Sequence, residues 1–154
     1  MTDRVLPPAH HRKLVHWFEH GIPFNAYLGL KVDRLERGLV VLRLPFQDHL
    51  IGDIGRPALH GGVTSMLADT AGGAACFAML DNERDRLSTV DLRVDFLRPG
   101  VAADVVCRAE VLRMGNHVGV TSMKLWSGGL PGEGALDPLP FATGQAVYNI
   151  LRRS

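Results

Sequence analysis

The residues best suited to do chemistry lie in one stretch, Leu59-His60-Gly61-Gly62-Val63-Thr64-Ser65-Met66-Leu67-Ala68-Asp69. Consecutive glycines open a helix there, so its first backbone N–H groups can approach a ligand with no side chain in the way. The helix dipole adds partial positive charge at the same end. An oxygen gaining negative charge in a transition state would be stabilised at that point. Asp69 stands further along the helix, among Leu67, Ala68 and Ala71. A carboxylate in apolar surroundings is costly without partners. Asp69 is therefore either a nucleophile or general base, or a structural carboxylate bonded to a turn or a neighbouring helix end. The step from Gly61 to Asp69 spans about 12 Å along the axis at about 1.5 Å per residue. A reacting carbonyl has to sit about 3 Å from both its oxyanion donor and its attacking group, so one helix cannot supply both. Two such helices packed antiparallel can, with Gly61 of one copy beside Asp69 of the other. The small-residue run Gly72–Ala75 would ease that approach. If the chain is an enzyme, the spacing predicts two active sites at a dimer interface.

Other candidates carry less. His10, His11, His16 and His20 resemble a metal cluster by count, but no HExxH or carboxylate pattern accompanies them. They read as the polar face of a solvated amphipathic helix, and no metal is expected. His117, at a strand start, reads as structural. Cys76 follows Asp69 near the same helical face with no base beside it in sequence, which suits a packed thiol. Neither Cys76 nor Cys107 belongs to a CxxC pair, so no zinc or redox motif is indicated.

The elements that must position these residues follow from periodicity and breakers. Residues 9–20 put Leu14, Val15, Trp17 and Phe18 on one helical side, ended by Gly21 and Pro23. Residues 24–30 are an apolar connector. Residues 30–35 and 39–45 read as strands joined around Glu36-Arg37-Gly38, with Val41 facing one way and Leu42 and Leu44 the other. Residues 47–59 form a long loop with Gly52, Gly55 and Pro57. Residues 62–80 are a helix apolar enough to be buried, and its glycines cost about 1 kcal/mol each relative to alanine, which packing must offset. A polar loop, 81–86, precedes a strand in which Val90, Leu92, Val94 and Phe96 alternate with Asp91, Arg93 and Asp95, giving one buried face. Strands over 103–113 and 117–126 turn at Met114-Gly115-Asn116. A Gly/Pro-rich loop over 127–140 leads to a last strand, 141–151. The order α-β-β-α-β-β-β-β predicts an α+β architecture, an antiparallel sheet around a long central helix. No GxGxxG opens a helix, which excludes a dinucleotide-binding fingerprint.

Length and charge bound the function classes. The chain has 154 residues, 46% hydrophobic and 21% charged, with 17 basic and 16 acidic side chains for a net charge of +1. One domain over 1–154 is expected, its first 25 residues a helical extension. The near-neutral balance argues against a nucleic-acid binder. No apolar run reaches the roughly 18–20 residues of a membrane span, and the charged, histidine-rich start is unlike a signal peptide. Isolated cysteines suit a reducing compartment. A cytoplasmic location with no membrane partner is expected.

His60-Gly61-Gly62, Leu67-Ala68-Asp69, Val90-Asp91-Leu92-Arg93-Val94 and Phe96-Leu97-Arg98-Pro99 together resemble the hotdog-fold acyl-CoA thioesterases, in their phenylacetate-degradation (PaaI-like) branch, over roughly residues 25–150. The resemblance implies a hotdog fold, with the long helix held inside a curved antiparallel sheet, and dimers that join sheets edge to edge and pair into tetramers. It implies that Asp69 is the catalytic nucleophile or base for water, that the Gly61 N–H polarises the thioester carbonyl, and that His60 shapes the loop beside the thioester. Gly62, Ser65, Asp53, Met66 and Arg98 would contact substrate. Met66 would line an acyl pocket with Phe77 and Met79. Arg98, or Arg93 or Arg113, would meet nucleotide phosphates, since guanidinium suits phosphate geometry. Where the family often has Asn or Gln before the histidine, this chain has Ile54, with Asp53 beside it; where other members place Ser or Thr after the carboxylate, it has Gly73. The expected activity is hydrolysis of an acyl-CoA thioester, without cofactor, by a homo-oligomer (dimer or tetramer). The alternatives are an acyl-thioester hydratase or dehydratase, which usually pairs a catalytic His with an acid in another spacing, and a non-catalytic acyl-CoA-binding protein. Fold relatives that regulate carry an added DNA-binding segment, for which the first 25 residues are too few.

Overall fold

In the computed structural model, prolines and glycines set most element boundaries. The structure describes residues 4–153; the ends of the expected 1–154 domain, Met1–Asp3 and Ser154, lie outside the described residues. Pro8 sits at the first position of α1 (Pro8–His16), where a missing N–H costs nothing. The helix then widens into a π-helical turn, Trp17–Gly21. The apolar connector expected after it instead holds a short helix, α2 (Pro23–Leu28), closed by Gly29 in the left-handed conformation at φ 69°. Strands β1 (Lys31–Glu36) and β2 (Leu39–Leu44) form the expected hairpin. The loop expected over 47–59 contains a 3-10 turn and a small ladder, β3 (Ile51–Asp53) with β4 (Ala58–Leu59). The buried helix α3 runs Gly61–Phe77, slightly earlier than its periodicity suggested. The remaining strands are β5 (Arg86–Phe96), β6 (Val105–Met114), β7 (Val118–Ser127) and β8 (Ala142–Leu151).

Six strands make one antiparallel sheet in the order β1-β2-β6-β7-β8-β5. It wraps α3, the hotdog architecture that the resemblance implies. Val40, Leu42 and Leu44 join the core around the helix, while Leu39 and Val41 pack with Val106 and Leu130 on the other face. Leu67, Ala68, Ala71, Ala74 and Ala75 are at most 1% exposed. The small side chains bring α3 close to its own sheet. A Cβ at Gly72 would lie 2.5 Å from the Tyr148 hydroxyl and 2.7 Å from Thr121 Oγ1. Most of the run Gly72–Ala75, read as a helix–helix contact, is thus buried against this chain's own sheet; Gly73 alone is half-buried.

β5 pairs only with β8, so its other edge is free among the described residues. The expected alternation fails there. The register slips between Thr89 and Asp91, leaving Val90 as an extra residue. Such a bulge changes which side chains share a face. Leu92 and Val94 pack on the core, but Val90 is 66% and Phe96 54% exposed. Across the bulge Leu87 joins the core-facing set, and Thr89 turns toward α3, where it bonds Asp69.

Candidate functional site

The start of α3 is built around a histidine. His60 has extended dihedrals, its N–H donates to the Leu50 carbonyl at 2.9 Å, and its Nδ1 accepts the Gly62 N–H at 2.9 Å. The ring therefore caps the helix, which requires Nδ1 unprotonated and places the imidazole proton on Nε2. The two glycines have different jobs. A Cβ at Gly62 would lie 2.9 Å from Nδ1, so the cap needs glycine there. A Cβ at Gly61 would only touch the Phe96 ring, at 3.5 Å. Gly62's N–H is spent on the cap, and the Gly61 N–H, at the first helical position, has no intrahelical acceptor. Ser65 Oγ donates back to the Gly61 carbonyl at 3.2 Å, a bond within the helix.

Asp69 lies further along α3, half-buried. Thr89 Oγ1 donates to Asp69 Oδ1 at 2.8 Å. The Tyr148 hydroxyl donates to the Asp69 carbonyl at 2.8 Å, with Oδ1 at 3.3 Å. Both side-chain donors thus converge on Oδ1, and Oδ2 has no hydrogen bond among the described residues. Tyr148 is 1% exposed. Burial first, then the negative charge of Asp69, pushes its pKa well up, so it remains a phenol and a donor.

A cavity of about 900 Å³ opens beside Asp69. Asp69, Gly73 and Phe77 recur at helical spacing along its floor, with Thr70 and Ala74 beside them. Leu87, Thr89 and Tyr148 line it from the sheet, and Leu14, Trp17 and Phe18 from the N-terminal segment. Thr89 and Tyr148 escaped the sequence reading. Tyr148 alternates inward with Ala146 and Ile150, which was a usable signal; Thr89 depends on the bulge.

The structure does not gather every expected site residue. His60, Gly61 and Gly62 do not line the Asp69 cavity, as their spacing implied. Phe77 lines it, but Met66 and Met79 do not; Met66 is half-buried and packs on the core. Asp53 accepts the Gly55 and Arg56 N–H groups at 3.0 and 3.2 Å and pairs with the Arg56 guanidinium at 3.1 Å. These bonds, the Arg56 backbone first, hold its carboxyl below the usual range and make it the anchor of its own turn. Neighbouring Ile54 is 92% exposed. Arg98 donates to the Leu139 and Pro140 carbonyls and pairs with Asp137 at 3.1 Å, bracing the loop before β8. Arg93 pairs with Asp95. Cys76 is fully buried, which pushes its thiol up to about 12. Among the described residues no three His, Cys, Asp or Glu side chains come together as metal ligands, and no helix is long and apolar enough to cross a membrane.

Comparisons with known proteins bear on the fold and the family. The family described as "Thioesterase superfamily" matches residues 57–131, from the β3–β4 turn into the loop after β7. A relative from Salmonella typhimurium, named medium/long-chain acyl-CoA thioesterase YigI, is 36% identical over 79% of this chain and 86% of its own length. The acyl-coenzyme A thioesterase PaaI of Escherichia coli is 29% identical over 64% of this chain and 66% of its own. Among solved structures, a thioesterase family protein from Silicibacter pomeroyi superposes with a TM-score of 0.77 at 28% identity, covering 93% of this chain and 99% of that one.

Proposed function

The chain belongs to the thioesterase superfamily and is a thioester hydrolase, and we propose that it cleaves acyl-CoA at sites shared between two copies. In each site Asp69 of one copy attacks the thioester carbonyl, or takes a proton from the water that does. The Gly61 N–H of the other copy receives the developing oxyanion. The C–S bond breaks, the sulfur leaves as CoA thiolate and takes a proton, and water supplies the hydroxyl of the free acid. Thr89 and Tyr148 hold Oδ1 by hydrogen bonds, leaving Oδ2 for the reaction. His60 orients the donor by capping α3 while sparing the Gly61 N–H.

One observation carries the shared site. Gly61 and Asp69 lie along the same free-edged strand, Gly61 where an added Cβ would touch the Phe96 ring at 3.5 Å and Asp69 bonded to Thr89 at 2.8 Å. Two copies of β5 paired antiparallel about a twofold near Leu92 and Arg93 set Thr89 of each opposite Phe96 of the other. That pairing carries Gly61 of each copy toward Asp69 of its neighbour, twice, as a twofold interface requires. A long edge strand exposing Val90 and Phe96 also calls for cover.

The test uses Asp69→Asn and Gly61→Pro. Proline suits the first helical position, and His60 already has the extended ψ of 131° that a residue before proline needs. It removes the N–H in question and adds a ring whose Cβ would make only an ordinary contact with Phe96, at 3.5 Å. Each variant alone is expected to lose about 10²–10³-fold in kcat or more. A purified hybrid carrying one copy of each has one intact site, so it should recover half the wild-type rate. An inactive hybrid would place both groups in one chain and defeat the shared-site reading.

A further inference from the structure

We propose that the N-terminal segment is the chain-length gauge of this enzyme, with Trp17 stacked on Phe77 forming the far wall of the acyl site. The inference rests on the thioesterase reading above and deepens it.

Two groups of side chains stand apart in the cavity lining: Asp69, Thr89 and Tyr148, joined by hydrogen bonds, and Trp17, Phe18 and Phe77, joined by ring contacts, with Lys13 and Glu83 beside the second. Trp17 and Phe77 stack with ring centroids 5.0 Å apart, and Phe18 meets Phe77 edge-on at 6.1 Å. From Asp69 to Phe77 the floor runs about 12 Å along α3, and Gly73 between them adds no side chain to obstruct it. An acyl chain whose carbonyl is held at Asp69 therefore meets the Trp17–Phe77 pair at about ten carbons in extended form, given that 12 Å run.

The far wall is specified in detail. The π-helical turn lets adjacent residues, Trp17 and Phe18, both reach Phe77, which the regular spacing of an α-helix would not favour. Asn25, 3% exposed, donates to the Phe18 carbonyl at 2.9 Å and fixes the turn. A Cβ at Gly21 would lie 2.5 Å from Trp17 Cδ1, so glycine clears the space the indole occupies. Phe18 is 3% exposed and anchors the segment, whereas Trp17 is 39% exposed and borders the cavity. Lys13 reaches both carboxylate oxygens of Glu83 at 2.6 Å, tying α1 to the loop before β5 beside the Trp17–Phe77 pair.

The experiment measures kcat/KM for saturated acyl-CoA substrates from four to sixteen carbons, for wild type and Trp17→Ala. Removing the indole should raise the ratio of the twelve- to the six-carbon substrate by about 15-fold, the effect of admitting two more methylenes at about fourfold each. A variant whose chain-length profile overlays that of wild type would overturn the proposal and leave the thioesterase reading standing. A wild type that releases no thiol from any chain length would overturn both. A second measurement does not depend on how Trp17→Ala folds. In Asp69→Asn, a ten-carbon acyl-CoA should change the emission of Trp17, because Trp126 is 6% exposed and bonded to the Pro138 carbonyl, away from the cavity. CoA alone or the four-carbon substrate should not. An equal change with CoA alone would assign the cavity to the CoA arm and refute the gauge.

Discussion

Asp69→Asn isolates chemistry from architecture, because the hydrogen bonds around this carboxylate are asymmetric. Thr89 and Tyr148 both donate toward Oδ1, at 2.8 and 3.3 Å, and nothing among the described residues bonds Oδ2. An asparagine can place its amide oxygen where Oδ1 lies and its NH₂ where Oδ2 lies, keeping both donors satisfied. The lost difference between charged and neutral acceptors is about 1 kcal/mol or less for a half-exposed group. The thermal midpoint should therefore move by only a few degrees. The amide is neither a base nor a nucleophile, so turnover should fall by about 10²–10⁴-fold if Asp69 activates water, or about 2.7–5.4 kcal/mol of transition-state stabilisation. A larger loss points to covalent attack by Asp69 itself. The assay is free-thiol release from acyl-CoA under saturating substrate, alongside a melting curve on the same preparation. A folded variant turning over within about threefold of wild type, far inside the expected loss, would refute the assignment of Asp69. A collapse of the melting temperature would instead show that the charge itself holds α3 to the sheet.

Three further outcomes test the surrounding frame. Gly72→Ala forces a methyl against the Tyr148 hydroxyl and Thr121 Oγ1, at 2.5 and 2.7 Å; it should cost about 1–3 kcal/mol in urea unfolding and lower activity by displacing the Tyr148 donor. Asp85 accepts the Arg153 N–H at 2.9 Å and the Arg152 guanidinium at 2.7 Å, and these bonds depress its pKa below the ordinary 3.8. Folding therefore favours its ionised form: its contribution is complete above about pH 4 and disappears as pH falls through the depressed value, so Asp85→Asn should be less stable than wild type at pH 7 and converge with it in acid. Cys76 and Cys107 are buried, with both thiols pushed up by desolvation; native protein at pH 8 should resist alkylation by iodoacetamide on mass analysis, and become labelled at both sites in denaturant.

Much of the candidate site rests on residue types alone, and the limits of that reading were geometric. The glycine pair and Asp69 announced themselves by chemistry and by a spacing too long for one site. The antiparallel hairpins β1–β2 and β6–β7 followed from alternation and turns, but the sheet order did not: β2 pairs with β6 and β5 with β8, partners distant along the chain. What stayed hidden depends on neighbours distant along the chain. The reading of Asp53 as a substrate contact missed that its carboxylate closes its own turn onto Arg56. Arg98 looked free until the loop ending at Pro140 folded over it. The histidine-rich segment read as a solvated helix, yet its apolar side, with Leu14 and Phe18, encloses the cavity. Helical periodicity places side chains on a face; it does not say what that face will meet.

The extra residue in β5 has a consequence for how this candidate site can change over generations. Thr89 reaches Asp69 because of how many residues separate it from Leu92, not only because it is a threonine. Deleting Val90, a side chain mostly in water, would remove the Thr89 bond as thoroughly as mutating Thr89, with every reactive group still present in the sequence. A single codon lost or gained on one strand could thus switch the environment of Asp69 in one event, a kind of variation that comparing residue identities position by position would overlook.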